Sequence, residues 1–434
     1  MNIDSKKLEV LSILPLLLFV LIFLGSGIYF ESIGVSYGFY QVPAPIAIIP
    51  AIILAFILNN TNVNESVEVF VKGMGHSNII TMCLIYLLAG AFSSVASASG
   101  GVDAVVNAGL SLVPSSFLLP GIFIISGIVA TAMGSSMGTI GAIAPIAYAV
   151  SLKAGIDVTV MSGAVLSGAM FGDNLSIISD TTIAATRSQG CNMKDKFKEN
   201  FSMSIVAAAV TILVLIFLAP APESLEVKSY DPILIIPYFF ILILAIMGVN
   251  VFVVLLSGIL LAGGISLFGD YTLLAFSKDI YKGFSSMQEI FLLSLLIGGL
   301  SEFINVGGGL EVISRGIQKI TKRVGKWNQY IADQLGISLL VSLTNLCIAN
   351  NTVSIIVVGP IAKKLALAGK ISGKRSASLL DIFSCITQGL LPYGAQALLL
   401  GASFKLTPVD IISNSYYCLI LIVVSILFIF FRKS

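Results

Sequence analysis

The residues of this chain best suited to handling a cation or a proton stand in one run, Gly172-Asp173-Asn174-Leu175-Ser176-Ile177-Ile178-Ser179-Asp180-Thr181-Thr182. Two carboxylates, seven residues apart, lie among amide and hydroxyl oxygens inside an otherwise apolar stretch. On a continuous helix Asp173 and Asp180 would share a face, about 10 Å apart along the axis. If the backbone unwinds around Ser176 to Ser179, freed carbonyls can act as ligands beside Asp173, Asn174, Ser176, Ser179, Asp180, Thr181 and Thr182. Hard oxygens of this kind suit a small cation such as sodium, or a proton. A carboxylate inside a membrane is costly and marks an ion path by default. The structural alternative has Asp180 capping a helix end and Asp173 near the aqueous boundary.

A second polar group comprises Ser135 and Ser136 with Thr344, Asn345, Asn350, Asn351 and Thr352. A third comprises Gln388, Tyr393 and Gln396, with Pro392 and Gly394 between them. Adjacent asparagines in an apolar run are expensive unless they pair or bind something. Ser135, Ser136, Asn350, Asn351, Thr352, Gln388, Tyr393 and Gln396 are therefore the candidates for contact with an organic solute. Interhelical hydrogen bonding is their structural alternative. The GxSxG pattern at 134–138 lacks a base, because the sole histidine, His76, is remote in sequence, so a serine hydrolase is not expected. The GAMFG run at 168–172 reads as close helix packing. Glu302 and Asp381 are candidates for secondary proton carriers, with packing at a polar boundary as the equal alternative, and His76 reads as incidental. No CxxC pair occurs among Cys83, Cys191, Cys347, Cys385 and Cys418, which read as small buried apolar residues. The chain is not expected to be an enzyme or to carry a cofactor beyond a coupling ion.

The elements that must position these residues are membrane spans. Of the 434 residues 57% are hydrophobic and 11% charged, far from the roughly 25% charged of soluble domains. The net charge of +2 gives no sign of nucleic-acid binding. Runs long enough to span a bilayer fall at about 9–30, 43–59, 77–98, 159–186, 201–219, 231–247, 249–267, 288–306, 376–402 and 408–431. The stretches 115–153 and 329–367 are each nearly two spans long. They are interrupted at Gly134-Ser135-Ser136-Met137-Gly138 and at Asn350-Asn351-Thr352. The expected fold is an all-α polytopic membrane protein with about fourteen segments. Residues 60–76, 102–113, 268–287 and 310–326 read as amphipathic interfacial helices, and 187–200 as a loop.

The halves resemble each other. Residues 90–106 align with 298–314 at a shift of 208, and Pro145-Ile146-Ala147 with Pro360-Ile361-Ala362 at a shift of 215. This pairs Ser135 and Ser136 with Asn350 and Asn351, Asp173 with Gln388, and Asp180 with Ala395, so the acid chemistry sits in the first half. The halves divide at 222/223. Arg315, Lys319, Lys322, Arg323 and Lys326 with Lys363, Lys364, Lys370, Lys374 and Arg375 flank the second broken stretch, whereas the equivalent loops of the first hold only Lys153. The positive-inside rule puts the second pair of loops in the cytoplasm and the first outside. Lys6, Lys7, Arg187, Lys194, Lys196, Lys198, Arg432 and Lys433 agree, and both termini are cytoplasmic. Inverted repeats with breaks at matching places are the mark of a secondary transporter.

The run 169–190, with MGSSMGTIGAIAPIA at 133–147 before it, resembles the NhaC family of sodium–proton antiporters. Gly172, Asp173, Ser176, Ser179, Asp180, Thr181 and Thr182 match that family's pattern, and Ile177 stands where the pattern has proline. The resemblance implies an ion-coupled carrier in the cell membrane, among relatives that exchange sodium for protons, exchange malate for lactate or carry amino acids. Two functions stay open. One is Na+/H+ antiport with Asp173 and Asp180 as the site. The other is Na+- or H+-coupled transport of an amino acid or other small organic solute. A channel or structural subunit would have no reason to show duplicated breaks. No intramembrane Lys or Arg is expected near the site. The expected partners are membrane lipid, Na+, H+ and such a solute, and homo-oligomerisation is left open.

Overall fold

Apolar runs in a bilayer must satisfy every backbone N–H and C=O within the segment, which selects helices. The computed structural model describes residues 9–35, 38, 41–59, 62–112, 114–177, 179–219, 229–247, 249–269, 271–325 and 328–431, and these contain helices and connections but no strand. Lys6, Lys7, Lys326, Arg432, Lys433 and the 222/223 boundary lie outside the described residues. The first half contains α1 (Leu14–Ser32), α2 (Ala44–Ala47), α3 (Ile49–Leu58), α4 (Val63–Met74), α5 (Ser77–Ala98) and α6 (Gly101–Leu112). It continues with α7 (Leu118–Met133), α8 (Ser136–Ala154), α9 (Val158–Leu175), α10 (Asp180–Gln189) and α11 (Met193–Leu218). The second contains α12 (Ile236–Ile246), α13 (Val251–Ser266), α14 (Leu273–Ser286), α15 (Gln288–Val306) and α16 (Gly309–Val324). Then come α17 (Gln329–Ile348), α18 (Asn351–Ala368), α19 (Gly373–Gly389), α20 (Ala395–Phe404), α21 (Pro408–Ser413) and α22 (Tyr416–Phe431).

Among the described residues seven helices are long and apolar enough to cross a membrane, and shorter apolar helices such as α7, α13, α20 and α22 accompany them. The chain is an all-α, multi-pass membrane protein. The stretches 115–153 and 329–367 each divide into two helices, at Gly134-Ser135 and at Ala349-Asn350. Three other expectations are corrected. The stretch 159–186 is two helices, α9 and α10; 376–402 is likewise α19 and α20; and 408–431 is α21 and α22. The supposed loop 187–200 is nearly all helix, since only Gly190, Cys191 and Asn192 separate α10 from α11. Its polar residues Lys196, Glu199 and Asn200 face the interior, where charges can stay only if partnered.

Backbone geometry recurs at the two shifts seen in the sequence. Left-handed residues stand at Gly100 and Gly308, then at Gly134 and Ala349, Gly155 and Lys370, and Gly190 and Lys405. Pro145 lies inside α8 and Pro360 inside α18. Aligned residues also meet one another. Cys83 Sγ donates to the Phe291 carbonyl at 3.7 Å, Tyr86 Oη lies 3.2 Å from Ser294 Oγ, and Cys385 Sγ donates to the Met170 carbonyl at 3.5 Å. Helix α9 rests on α7 through Gly168 and Gly172. A Cβ at either position would meet the Phe123 or Gly127 carbonyl at 2.3 or 2.2 Å, so only glycine admits this approach.

Candidate functional site

Four interrupted places converge at the centre. At the first, Gly134 takes the left-handed conformation that ends α7, and Ser135 Oγ accepts from the Gly138 N–H at 3.0 Å to start α8. At the second, Ala349 is left-handed and Asn350 Oδ1 accepts from the Val353 N–H at 3.0 Å to start α18. Between α9 and α10 the chain is extended at Ser176 and Ser179, and Ser179 caps α10. Between α19 and α20 Gly394 is extended and precedes Ala395. Each interruption is local chemistry: a small or hydrogen-bonding residue supplies the cap that an interior helix end requires.

A cavity of about 90 Å³ lies among these breaks. It is lined by Ser135, Ser136, Asp173, Asp180, Thr181, Asn350, Asn351, Thr352, Gln388 and Gln396, together with Asn78, Thr81, Met82 and Ile85 of α5. Asp173 is 5% exposed, and its Oδ2 accepts from Ser136 Oγ at 3.1 Å. Gln396 Nε2 donates to Ser136 Oγ at 3.1 Å, and Gln388 Nε2 donates to Gln396 Oε1 at 2.8 Å. One hydrogen-bonded chain thus joins Asp173 to the second half. Asp180 is exposed and also lines a vestibule of about 720 Å³ with His76, Asn78, Arg187 and Thr352. The deep carboxylate and the vestibule carboxylate therefore share one cavity but differ in exposure.

The remaining predicted residues do not line the cavity. Thr182 Oγ1 donates to the Ser176 carbonyl at 2.7 Å and accepts from Ser179 Oγ at 2.9 Å, so these three residues fasten the break. The amide of Asn174 donates to Tyr417 Oη at 3.0 Å. Tyr393 donates to the Leu346 carbonyl at 2.6 Å and packs edge-on to Phe19. Glu302 pairs with Lys72 of α4 at 2.8 Å, and His76 caps α5.

The expectation that no Lys or Arg stands near the site is wrong. Lys196, fully buried in the first turn of α11, reaches Asp381 Oδ2 of α19 at 2.7 Å. It also donates to Thr182 Oγ1 at 2.7 Å and to the Asn174 carbonyl at 3.3 Å. Asn200 Nδ2 donates to the same carbonyl at 2.9 Å and to Asp381 Oδ2 at 2.7 Å. The tethered ammonium thus bridges both sides of the α9/α10 break and neutralises a carboxylate immediately behind Asp173. Arg375, read as a loop residue, is also buried, donating to Gln334 Oε1 at 2.8 Å and pairing with Glu199 at 3.4 Å. Among the described residues no group of three His, Cys, Asp or Glu side chains could hold a metal ion. A hard monovalent cation needs no such cluster, because carbonyl, hydroxyl and amide oxygens serve.

A buried carboxylate beside helix breaks inside a multi-pass helical protein is the arrangement expected of an ion-coupled secondary transporter. Residues 10–219 match the model of the Na+/H+ antiporter family. The chain is 25% identical over 400 residues to the Na(+)/H(+) antiporter NhaC of Bacillus subtilis (strain 168), covering 83% of this chain and 85% of that one. It is 21% identical over 374 residues to the NhaC of Alkalihalophilus pseudofirmus, covering 79% and 80%. A 140-residue segment, 32% of this chain and 30% of the other, is 32% identical to the Malate-2H(+)/Na(+)-lactate antiporter of Bacillus subtilis. These matches bear out the resemblance to NhaC-type antiporters and support ion-coupled antiport.

Proposed function

We propose that this protein exchanges sodium for protons across the cell membrane, with Asp173 and Asp180 as the exchange site. The observation that carries this reading is the size and depth of the cavity. At about 90 Å³ it has room for a cation with a little water, against roughly 300 Å³ at the lower end of organic-ligand pockets. Asp173, nine-tenths buried at its floor, is too costly to leave as an unneutralised charge. Either a proton or a sodium ion neutralises it, and one excludes the other, which makes the exchange obligatory. Asp180, on the vestibule, receives the ion from solvent and passes it to the deeper carboxylate. The N-terminal ends of α8 and α18, capped by Ser135 and Asn350, bring partial positive charge to the same cavity. That charge offsets part of the aspartates' negative charge and keeps bound sodium releasable.

The test is proton flux in sodium-loaded proteoliposomes. Wild-type protein should exchange without any organic solute, and Asp173→Asn should be folded and inserted but without exchange. Normal sodium-dependent flux in that variant would remove Asp173 from the mechanism. A second reading, coupled transport of a small organic solute, is favoured by the amides of Asn351, Gln388 and Gln396 on the cavity wall. The Gln388 Oε1 oxygen, buried without a hydrogen-bond partner among the described residues, would accept from such a solute. Flux that strictly required a solute would establish this reading in place of the first.

A further inference from the structure

A cavity of about 490 Å³ elsewhere in the molecule is lined by Ser286, Glu289, Ile290 and Leu293 on one wall and by Leu398, Gly401, Ala402 and Lys405 on another. The register of these residues is informative. Stepping back by the shift of 208 that separates Cys83 from Phe291 turns the first wall into Asn78, Thr81, Met82 and Ile85. Those are the four α5 residues on the wall of the central site. Stepping back by the shift of 215 that separates Met170 from Cys385 turns Leu398 and Ala402 into Ile183 and Arg187, which line the 720 Å³ vestibule. The 490 Å³ cavity is the image, in the other half of the chain, of the α5 wall of the central site together with the α10 wall of the vestibule that Asp180 faces. The image is not open to the site. The vestibule shares Asn78, Asp180 and Thr352 with the central cavity, whereas the 490 Å³ cavity shares no lining residue with it.

We propose that this cavity is the access vestibule of the opposite, extracellular membrane face, and that Glu289 in it docks the monovalent cation arriving from that side. The proposal rests on the antiport reading for the ion, but not for the route. Where α5 presents Thr81 to the central site, the outer wall carries a carboxylate at the same register, Glu289. Its Oε1 accepts from the Ala44 N–H at 3.2 Å, which holds it at the mouth where α2 meets α15, and the side chain is exposed. Lys405 is the other charged residue on this wall and follows α20 in a left-handed conformation, where its counterpart is Gly190. The two routes therefore differ in charge. Arg187 stands beside Asp180 on the inner one, and Glu289 with Lys405 on the outer one. A cation leaving Asp173 outward meets a carboxylate that the inner route lacks at that register. Each half thus contributes one vestibule, and the central site is served by one at a time.

Two measurements on the full chain test this. In intact cells, with the five native cysteines replaced by alanine, Ala402→Cys and Ser188→Cys are exposed to a membrane-impermeant charged thiol reagent. Modification of Ala402→Cys at least tenfold faster than Ser188→Cys is expected. Equal rates, or the reverse order, overturn the assignment of the route. This readout needs no transport and stands or falls apart from the identity of the ion. In oriented vesicles, Glu289→Gln should raise the half-saturating sodium concentration on the outer face about tenfold, as expected from losing one charge–charge contact. The inner-face value should be unchanged, and Glu289→Asp should restore most of the outer-face affinity. An equal change on both faces, no change on either, or no rescue by aspartate overturns the docking role. Wild-type protein without sodium–proton exchange would instead refute the antiport reading, leaving the thiol result to decide the route.

Discussion

Lys196→Met isolates the least anticipated feature of the molecule. Lys196 is fully buried and Asp381 is 1% exposed. Removing the ammonium leaves the carboxylate with one hydrogen-bond donor on Oδ2, Asn200 Nδ2. Its Oδ1 already lacks a hydrogen-bond partner among the described residues. Breaking one side of a buried pair costs about 3–5 kcal/mol, mainly for the uncompensated charge. That is a large share of the roughly 5–15 kcal/mol that holds a typical domain together. Lys196→Met should therefore unfold at markedly lower denaturant, and Asp381→Asn should show a comparable loss. The double variant Lys196→Met/Asp381→Leu removes both charges and should recover most of the stability, giving a coupling energy of at least about 2 kcal/mol in a double-mutant cycle. Transport by the same proteins divides two roles. If the pair only closes the α9/α10 break, the double variant transports. If the tethered cation sets the charge balance behind Asp173, the double variant is stable and inactive. A single-variant cost below about 1 kcal/mol would refute the argument, since a surface-like pair is worth no more than that.

Asn351→Ala should cut sodium affinity or turnover if the site takes only ions. Under the solute reading it should weaken solute binding about tenfold to a hundredfold, the cost of a lost hydrogen bond of roughly 1–3 kcal/mol, and isothermal titration in detergent separates the two. The connection at Lys370, with the end of α18 that carries Lys363 and Lys364 and the start of α19 that carries Lys374, should be cytoplasmic and Gly155 external. A cysteine at Ser372 labelled from outside, with none labelled at residue 155, would refute both this topology and the opposed orientation of the halves.

The Gly134-Ser135 and Asn350 interruptions were legible because small and amide residues stand out inside apolar runs, and the same residues cap the helices. The aspartate run was legible for the opposite reason, as polarity with no hydrophobic explanation. The break after α19 was not, since Leu390, Leu391 and Ala395 keep the stretch apolar while Pro392 and Gly394 end the helix. The misread stretch 187–200 has a clearer cause. Lys196, Glu199 and Asn200 look like solvent residues in any local window, but their partners Asp381 and Arg375 are some 180 positions away. Hydropathy sees the cost of burying a charge and is blind to the distant charge that removes it.

The bare-backbone contacts say where this molecule can bend. A Cβ on Gly73 would strike the Gly298 carbonyl, one on Gly90 the Gly283 carbonyl, and one on Gly172 the Gly127 carbonyl. Sliding along such a contact drives carbonyls into neighbouring backbone, so α4 with α15, α5 with α14, and α7 with α9 behave as welded pairs. Between α5 and α8 the fit is looser: a Cβ on Gly141 would find its nearest neighbours at 3.2 Å and beyond, all side chains of Ala89, Ile85 and Leu255. That lubricated seam runs past the central cavity, whose wall is α5 on one side and the helix breaks on the other. A few ångströms of slip there would move α5 past α8 and leave the hydrogen bond from Ser136 to Asp173 intact, so this fold can shift one wall of the cavity without unmaking the rest.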